Sequence, residues 1–137
     1  MSFNDEGLGP PLPTSTTDRP APERPRPSPR LLKVRKLIER CYADPLSAGR
    51  MARHAGFTAT ELRRQFAACY DCTPEAYLIA CRMRAAEALL ALGRTEHNVA
   101  LLVGYTSYRR YLGDRQRHQR SQRIAAGEAA LREFLQR

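Results

Sequence analysis

Cysteine, histidine and arginine are the residues whose types and spacing could do chemistry in this sequence. Cys69-x-x-Cys72, with Cys41 and Cys81 elsewhere, has the outline of half a zinc site, because structural zinc takes a short-spaced pair in a loop and a second pair elsewhere. Helical periodicity puts Cys69 and Cys81 on the apolar stripes of two different segments, where free cysteine serves as a small core residue. A core role is therefore expected, and no metal is assigned. His54, His97 and His118 are dispersed and have no cysteine or carboxylate partner at ligand spacing. There is no Gly-x-Ser-x-Gly elbow, no phosphate-binding glycine loop and no paired-carboxylate spacing, so neither an enzyme nor a cofactor is expected.

Arginine carries the remaining signal. Of 23 basic residues 21 are Arg, only Lys33 and Lys36 being lysine, against 14 acidic residues. A guanidinium is a planar fork that grips phosphate or a guanine edge with two parallel hydrogen bonds. Arg63 and Arg64 are adjacent, and stepping 100° per residue along a helix places them with Thr60 on one outward face, the small Ala67 between them. A second concentration, Arg109, Arg110, Arg115, Arg117, Arg120 and Arg123 against Asp114, gives +5 over fifteen residues. Such a run beside a reading helix predicts phosphate contacts that depend on salt and not on sequence.

The elements that must position these arginines are helical. The chain has 137 residues, a net charge of +9, 7% aromatic residues and no Trp, which fits one small basic domain. Eight of its ten prolines lie in residues 1–30, where the charges cancel, and this segment is expected to be an extended, disordered arm. No apolar run spans a bilayer and no secretory signal precedes the arm, so a cytoplasmic protein with no membrane partner is expected. Beyond residue 30 the apolar period is near 3.6. Leu31, Leu32, Val34, Leu37, Ile38 and Cys41 predict a first helix. Ser47 caps a second that ends at Gly56, and Thr58 caps a third with Leu62, Phe66, Cys69 and Tyr70 inward. Pro74 opens a long helix to about Leu92 with Tyr77, Leu78, Cys81, Ala85, Leu89 and Leu92 inward. A short fifth helix over residues 95–103, a sixth whose start covers Ser107 to about Leu112, and a last amphipathic segment with Ile124, Leu131, Phe134 and Leu135 complete an all-α chain. The last segment can fold back on the bundle or pair with a second copy as a homodimer; fold-back is the favoured placement.

A short helix, a glycine turn and a second helix is the arrangement that puts one helix into a DNA major groove. Leu46-Ser47, Met51-Ala52, Gly56-Phe57-Thr58, Leu62, Arg64, Phe66, Thr73-Pro74, Tyr77, Arg82-Met83, Ala86 and Leu89-Leu90 resemble the AraC/XylS DNA-binding domain over residues 37–111. That family has two helix-turn-helix units joined by a long helix, and its members regulate bacterial transcription. The resemblance implies double-stranded DNA as partner and RNA polymerase as a further one, base contacts from Thr60, Arg63 and Arg64, and a phosphate near Thr58. No effector-binding domain is expected in so short an arm. One departure is Asp71, where the family has glycine.

The second unit resembles the family less. Val99-Ala100, Val103-Gly104-Tyr105 and Ser107 match its start, but the stretch from Thr95 to Val99 is about three residues short. Leu112, Gly113 and Arg115 replace a small polar residue, arginine and a core phenylalanine, and the closing Gly-x-Ser-Pro segment is missing. The expected organisation is an arm over 1–30, a first unit with linker helix over 31–93, a degenerate second unit over 94–118 and a C-terminal helix over 119–137. Ser107, Tyr108, Arg109, Arg110 and Arg117 are the second unit's candidate contacts. Arg115, four residues after Tyr111, is expected to leave a charge unpaired in the core and to prevent normal packing, so that a monomer reads one groove. The rival expectation is a degenerate helical interaction module, or a nucleic-acid binder without sequence preference.

Overall fold

The computed structural model describes residues 24–136. Residues 1–23, which hold most of the expected arm, lie outside the described residues. Those described form six α-helices and no strand: α1 (Pro29–Cys41), α2 (Ala48–Ala55), α3 (Ala59–Tyr70), α4 (Pro74–Ala91), α5 (Glu96–Leu102) and α6 (Tyr108–Leu135). Each helix begins where a hydroxyl can accept a hydrogen bond from an otherwise orphaned N–H of the first turn: Ser28, Ser47, Thr58, Thr73, Thr95 and Ser107 all do so. Pro29 and Pro74 occupy the first helical turn, where no N–H is missed.

Two small cores share α4 as their common wall. In the first, Leu31, Val34 and Ile38 of α1 meet Met51 and Ala52 of α2, Leu62 and Phe66 of α3, and Leu78 and Cys81 of α4. In the second, Met83 and Ala86 of α4 meet Val99 and Ala100 of α5, then Val103, Tyr105 and Tyr111. The α4 residues facing the two cores differ in helical phase, which is why that helix is apolar on two sides. Leu32, expected inward, lies on the exposed side of α1, and Leu92 is exposed at the end of α4.

The two units touch at a tight point. Arg82 of α4 donates from Nε to the Tyr42 carbonyl at 2.6 Å and from a terminal nitrogen to the Asp44 carbonyl at 2.9 Å, with its guanidinium 5.1 Å from the Tyr105 ring centroid. Against the same loop runs the turn at Gly104, whose φ of +105° is reserved for glycine. A Cβ there would stand 2.7 Å from the Ala43 carbonyl oxygen.

Three expectations need correction. Arg30, counted with the arm, belongs to α1: its Nε donates to the Ala55 carbonyl at 2.9 Å, a terminal nitrogen donates to the Gly56 carbonyl, and its guanidinium lies 4.2 Å from the Phe57 ring centroid. The second unit's last helix and the C-terminal helix, expected as separate parts meeting at residue 118, are one helix of 28 residues to Leu135. Residues 112–123 are mostly good helix formers without proline, and the lone Gly113 costs only about 1 kcal/mol. The C-terminal segment does not fold back, since every residue from 119 to 136 is exposed.

Gly104→Ala should destabilise the fold by more than Gly93→Ala. Both glycines have positive φ (+105° and +91°), but a Cβ at Gly93 meets nothing within 4 Å. Strain alone costs about 1–3 kcal/mol, and the backbone clash at Gly104 adds to it. Urea denaturation of the two variants measures the difference.

Candidate nucleic-acid interface

The first candidate reader, α3, is set by local chemistry. Gly56 adopts a left-handed conformation (φ 76°) that closes α2, and Phe57 N–H donates to the Ala52 carbonyl at 2.8 Å. The chain then turns into a reciprocal cap. Glu61 N–H donates to the Thr58 hydroxyl at 3.1 Å, and Thr58 N–H donates to the Glu61 carboxylate at 2.9 Å. That backbone hydrogen bond from Thr58 leads the effects that hold the Glu61 carboxyl below its ordinary range. At the far end Asp71 takes the left-handed position (φ 62°) that the family fills with glycine. Asp is among the few side chains that tolerate it.

Thr60, Arg63 and Arg64 are all exposed on this helix, as expected from the periodicity, while Leu62 and Phe66 are buried beneath them. They are not equivalent. Arg63 donates through Nε and a terminal nitrogen, each at 2.8 Å, to one carboxylate oxygen of Glu75 in the first turn of α4. Arg64 makes no ion pair among the described residues. An exposed pair of this kind contributes about 0–1 kcal/mol, less than a good bidentate guanine contact at about 1–3 kcal/mol, so a base edge can displace Glu75 from Arg63. Sequence reasoning missed Glu75. No local signal marks it, because it lies twelve residues away on the next helix.

The second unit is fully packed, and this overturns the expectation for Arg115. Tyr111 is completely buried and donates its hydroxyl to Glu96 on α5 at 2.8 Å. Arg115 donates from Nε to the same carboxylate at 2.9 and 3.1 Å, so its charge is paired at the rim of the core and not stranded inside it. Asp114 is the residue that turns inward instead. It accepts from the Tyr105 hydroxyl at 2.6 Å and from Arg117, and it is only 7% exposed. Burial, then the hydrogen bonds to Asp114 and Glu96, push the Tyr105 and Tyr111 phenols well above the ordinary range.

The candidate contacts of the second unit therefore divide. Ser107 caps α6 by accepting from Arg110 N–H at 3.2 Å. Tyr108 is half-buried and stacked on His97, with ring centroids 3.8 Å apart. Arg117 is committed to Asp114. Arg109 and Arg110 are exposed in the first turn and make no ion pair among the described residues, as is also true of Arg120 one face further along. All four cysteines are free thiols, with Cys81 buried and Cys72 half-buried, and burial raises the thiol pKa of both. Among the described residues no three His, Cys, Asp or Glu side chains come together closely enough to hold a metal ion, and no helix is long and apolar enough to cross a membrane.

Two crystal structures share this arrangement of helices. One is the C-terminal domain of the two-component response regulator yesN from Fusobacterium nucleatum, 18% identical, with a TM-score of 0.59 over 62% of this chain and 90% of that one. The other is a probable AraC family transcriptional regulator from Rhodopseudomonas palustris, 20% identical, with a TM-score of 0.59 over 66% of this chain and 87% of that one. The fold is that of an AraC-type helix-turn-helix domain. No protein-family model matches the sequence, and no curated protein matches it. Within this fold the second unit carries a polar lock: Glu96 of α5 holds Tyr111 and Arg115 of α6, and Asp114 of α6 holds Tyr105 in the preceding turn.

Two measurements check that lock. Glu96→Ala should cost about 1–3 kcal/mol by leaving the buried Tyr111 hydroxyl unpartnered, and Arg115→Ala should cost less, because Tyr111 keeps its acceptor. Urea titration ranks the two. Alkaline titration, followed by phenolate absorbance free of Trp interference, should show Tyr105 and Tyr111 ionising above about pH 10, the ordinary value. Their folded pKa values are raised, so their contribution to stability is complete below about pH 10 and is lost as the pH rises beyond it. Tyr105→Phe should remove one late ionisation.

Proposed function

We infer that this chain is a bacterial regulator of transcription that binds duplex DNA in a sequence-specific way through both helix-turn-helix units. One observation carries the reading. The second helix of each unit is capped and presents an adjacent arginine pair on its exposed side, Arg63-Arg64 on α3 and Arg109-Arg110 on α6. The 18 residues of α4 between the units extend about 27 Å. That is commensurate with neighbouring major-groove segments about 34 Å apart.

In this reading Arg64, Arg63 and Thr60 read base edges, with Arg63 exchanging Glu75 for DNA. Thr58 and Ser107 keep their caps and offer hydroxyl protons to phosphates. Arg109 and Arg110 contact the second groove, and Arg120 adds a phosphate contact. Arg117 serves the fold first, through Asp114. The pairing of Arg115 with Glu96 removes the reason for assigning only one groove to a monomer. RNA polymerase as a partner, and the bacterial cytoplasm as location, follow from the resemblance to the family. The rival reading, a decayed unit binding polyanions without preference, is disfavoured by a second core that fully buries Val99, Val103 and Tyr111.

The test is selection from a random duplex library with the full chain. The expected outcome is two short enriched motifs about one helical turn apart, with binding that survives excess random duplex. Arg64→Ala should cost about 1–3 kcal/mol at one base pair and relax preference there. Arg120→Ala should weaken all sequences alike and lower the salt slope by about one unit. Absence of enrichment, with uniform losses from both variants, would support the non-specific reading instead.

A further inference from the structure

The C-terminal half of α6 has no role in either unit. Its 18 exposed residues, 119–136, project about 27 Å past His118 and include Ile124, Leu131, Phe134 and Leu135, between 57% and 72% exposed. Helical segments of this length are marginal in water without a partner. Ile124, Gly127, Leu131 and Phe134 recur at alternating spacings of three and four, the a and d positions of a heptad seam. We propose that this arm forms a parallel two-stranded coiled coil with a second copy of the chain.

Charge selects both the partner and the direction. With Ile124 at a, Arg123 is a g residue and Glu128 an e residue. In a parallel pair each g residue faces the e residue five positions on in the partner, so Arg123 of one copy meets Glu128 of the other, twice. An antiparallel pairing of the same seam brings Glu128 close to its own copy, a like-charge contact. The seam lies on the side of α6 opposite Tyr111, Asp114 and His118, which face the bundle, so a second copy can approach without meeting α4 or α5. Followed toward the N-terminus, the same a and d positions become Arg110, Gly113, Arg117 and Arg120. These cannot pair closely across a dimer, so the two helices must splay above Ile124 into a basic fork. The dimer itself does not depend on what α3 and α6 read. Only the fork's use on DNA rests on that reading.

Sedimentation equilibrium of the full chain without DNA tests the proposal. A reversible monomer–dimer equilibrium is expected, abolished by Leu131→Glu. Gly127→Leu should tighten it by about tenfold or more, since it places a side chain in the seam and removes a helix-weakening glycine from each strand. A Cβ at Gly127 meets nothing within 4 Å, so this variant leaves the monomer undisturbed. Arg123→Glu should weaken the dimer, and adding Glu128→Arg should restore it. In the Gly127→Leu background, oxidised Phe134→Cys should cross-link to its own copy only if the strands run parallel, because an antiparallel pair centred near Glu128 holds the two sites about 18 Å apart. The proposal is overturned if Gly127→Leu remains monomeric at every concentration, if a dimer forms that Leu131→Glu leaves intact, or if a dimer forms that Phe134→Cys in the Gly127→Leu background cannot cross-link.

Discussion

The close approach of the Gly104 turn to the Ala43 loop fixes how the two helix-turn-helix units sit relative to each other. A single shared helix sets a distance but leaves the second unit free to swing about it. Here the swing is stopped at one end by backbone lying on backbone, where not even a Cβ fits. It is stopped again at the same loop by Arg82, which takes the carbonyls of Tyr42 and Asp44 on either side of Ala43 and lays its guanidinium against Tyr105. A duplex of fixed pitch demands such rigidity, because two readers on a loose joint would bring their contacts to DNA one at a time.

The first unit was legible in the sequence because nearly everything that shapes it is local. Ser47, Gly56, the Thr58–Glu61 cap and the Thr73-Pro74 entry are each decided within four residues, and the outward placement of Thr60 and Arg64 follows from helical phase alone. The second unit was misread for the complementary reason. Arg115, taken with its neighbours on α6, is a charge at a core position. Its partner Glu96 lies 19 residues away on another helix, and no periodicity connects them. Arg30 with the carbonyls of Ala55 and Gly56, and Arg63 with Glu75, were hidden by the same kind of separation. The continuity of α6 was not read because the C-terminal segment was divided from the second unit at residue 118, although residues 108–135 contain no proline.

The arginines divide the basic charge between two duties. Arg30, Arg82, Arg115 and Arg117 satisfy carbonyls and carboxylates of the fold, and their positive charge is largely answered there. Arg64, Arg109, Arg110 and Arg120 are exposed without an ion pair among the described residues. Long-range attraction to a polyanion draws on the whole excess, whereas discrimination between sequences draws on the side chains that reach base edges from the two reading helices.

The continuity of α6 gives this arrangement a mechanical consequence. If the arm were joined to the second unit by a flexible linker, two copies could associate while their readers sampled many separations, and the second contact would gain little beyond a raised local concentration. A single helix from Ser107 onward removes that freedom, since the phase of Ile124 relative to Arg109 is set by the residues between them. Changing the arm's length by one residue would rotate the seam by about 100° against the reading face, whereas adding a full heptad would nearly preserve it. The spacing between the basic turn and the apolar seam is therefore a structural constant of this protein. It is also the one that a proline just before Ile124 would destroy while leaving Tyr111, Asp114 and Arg115 in their packing.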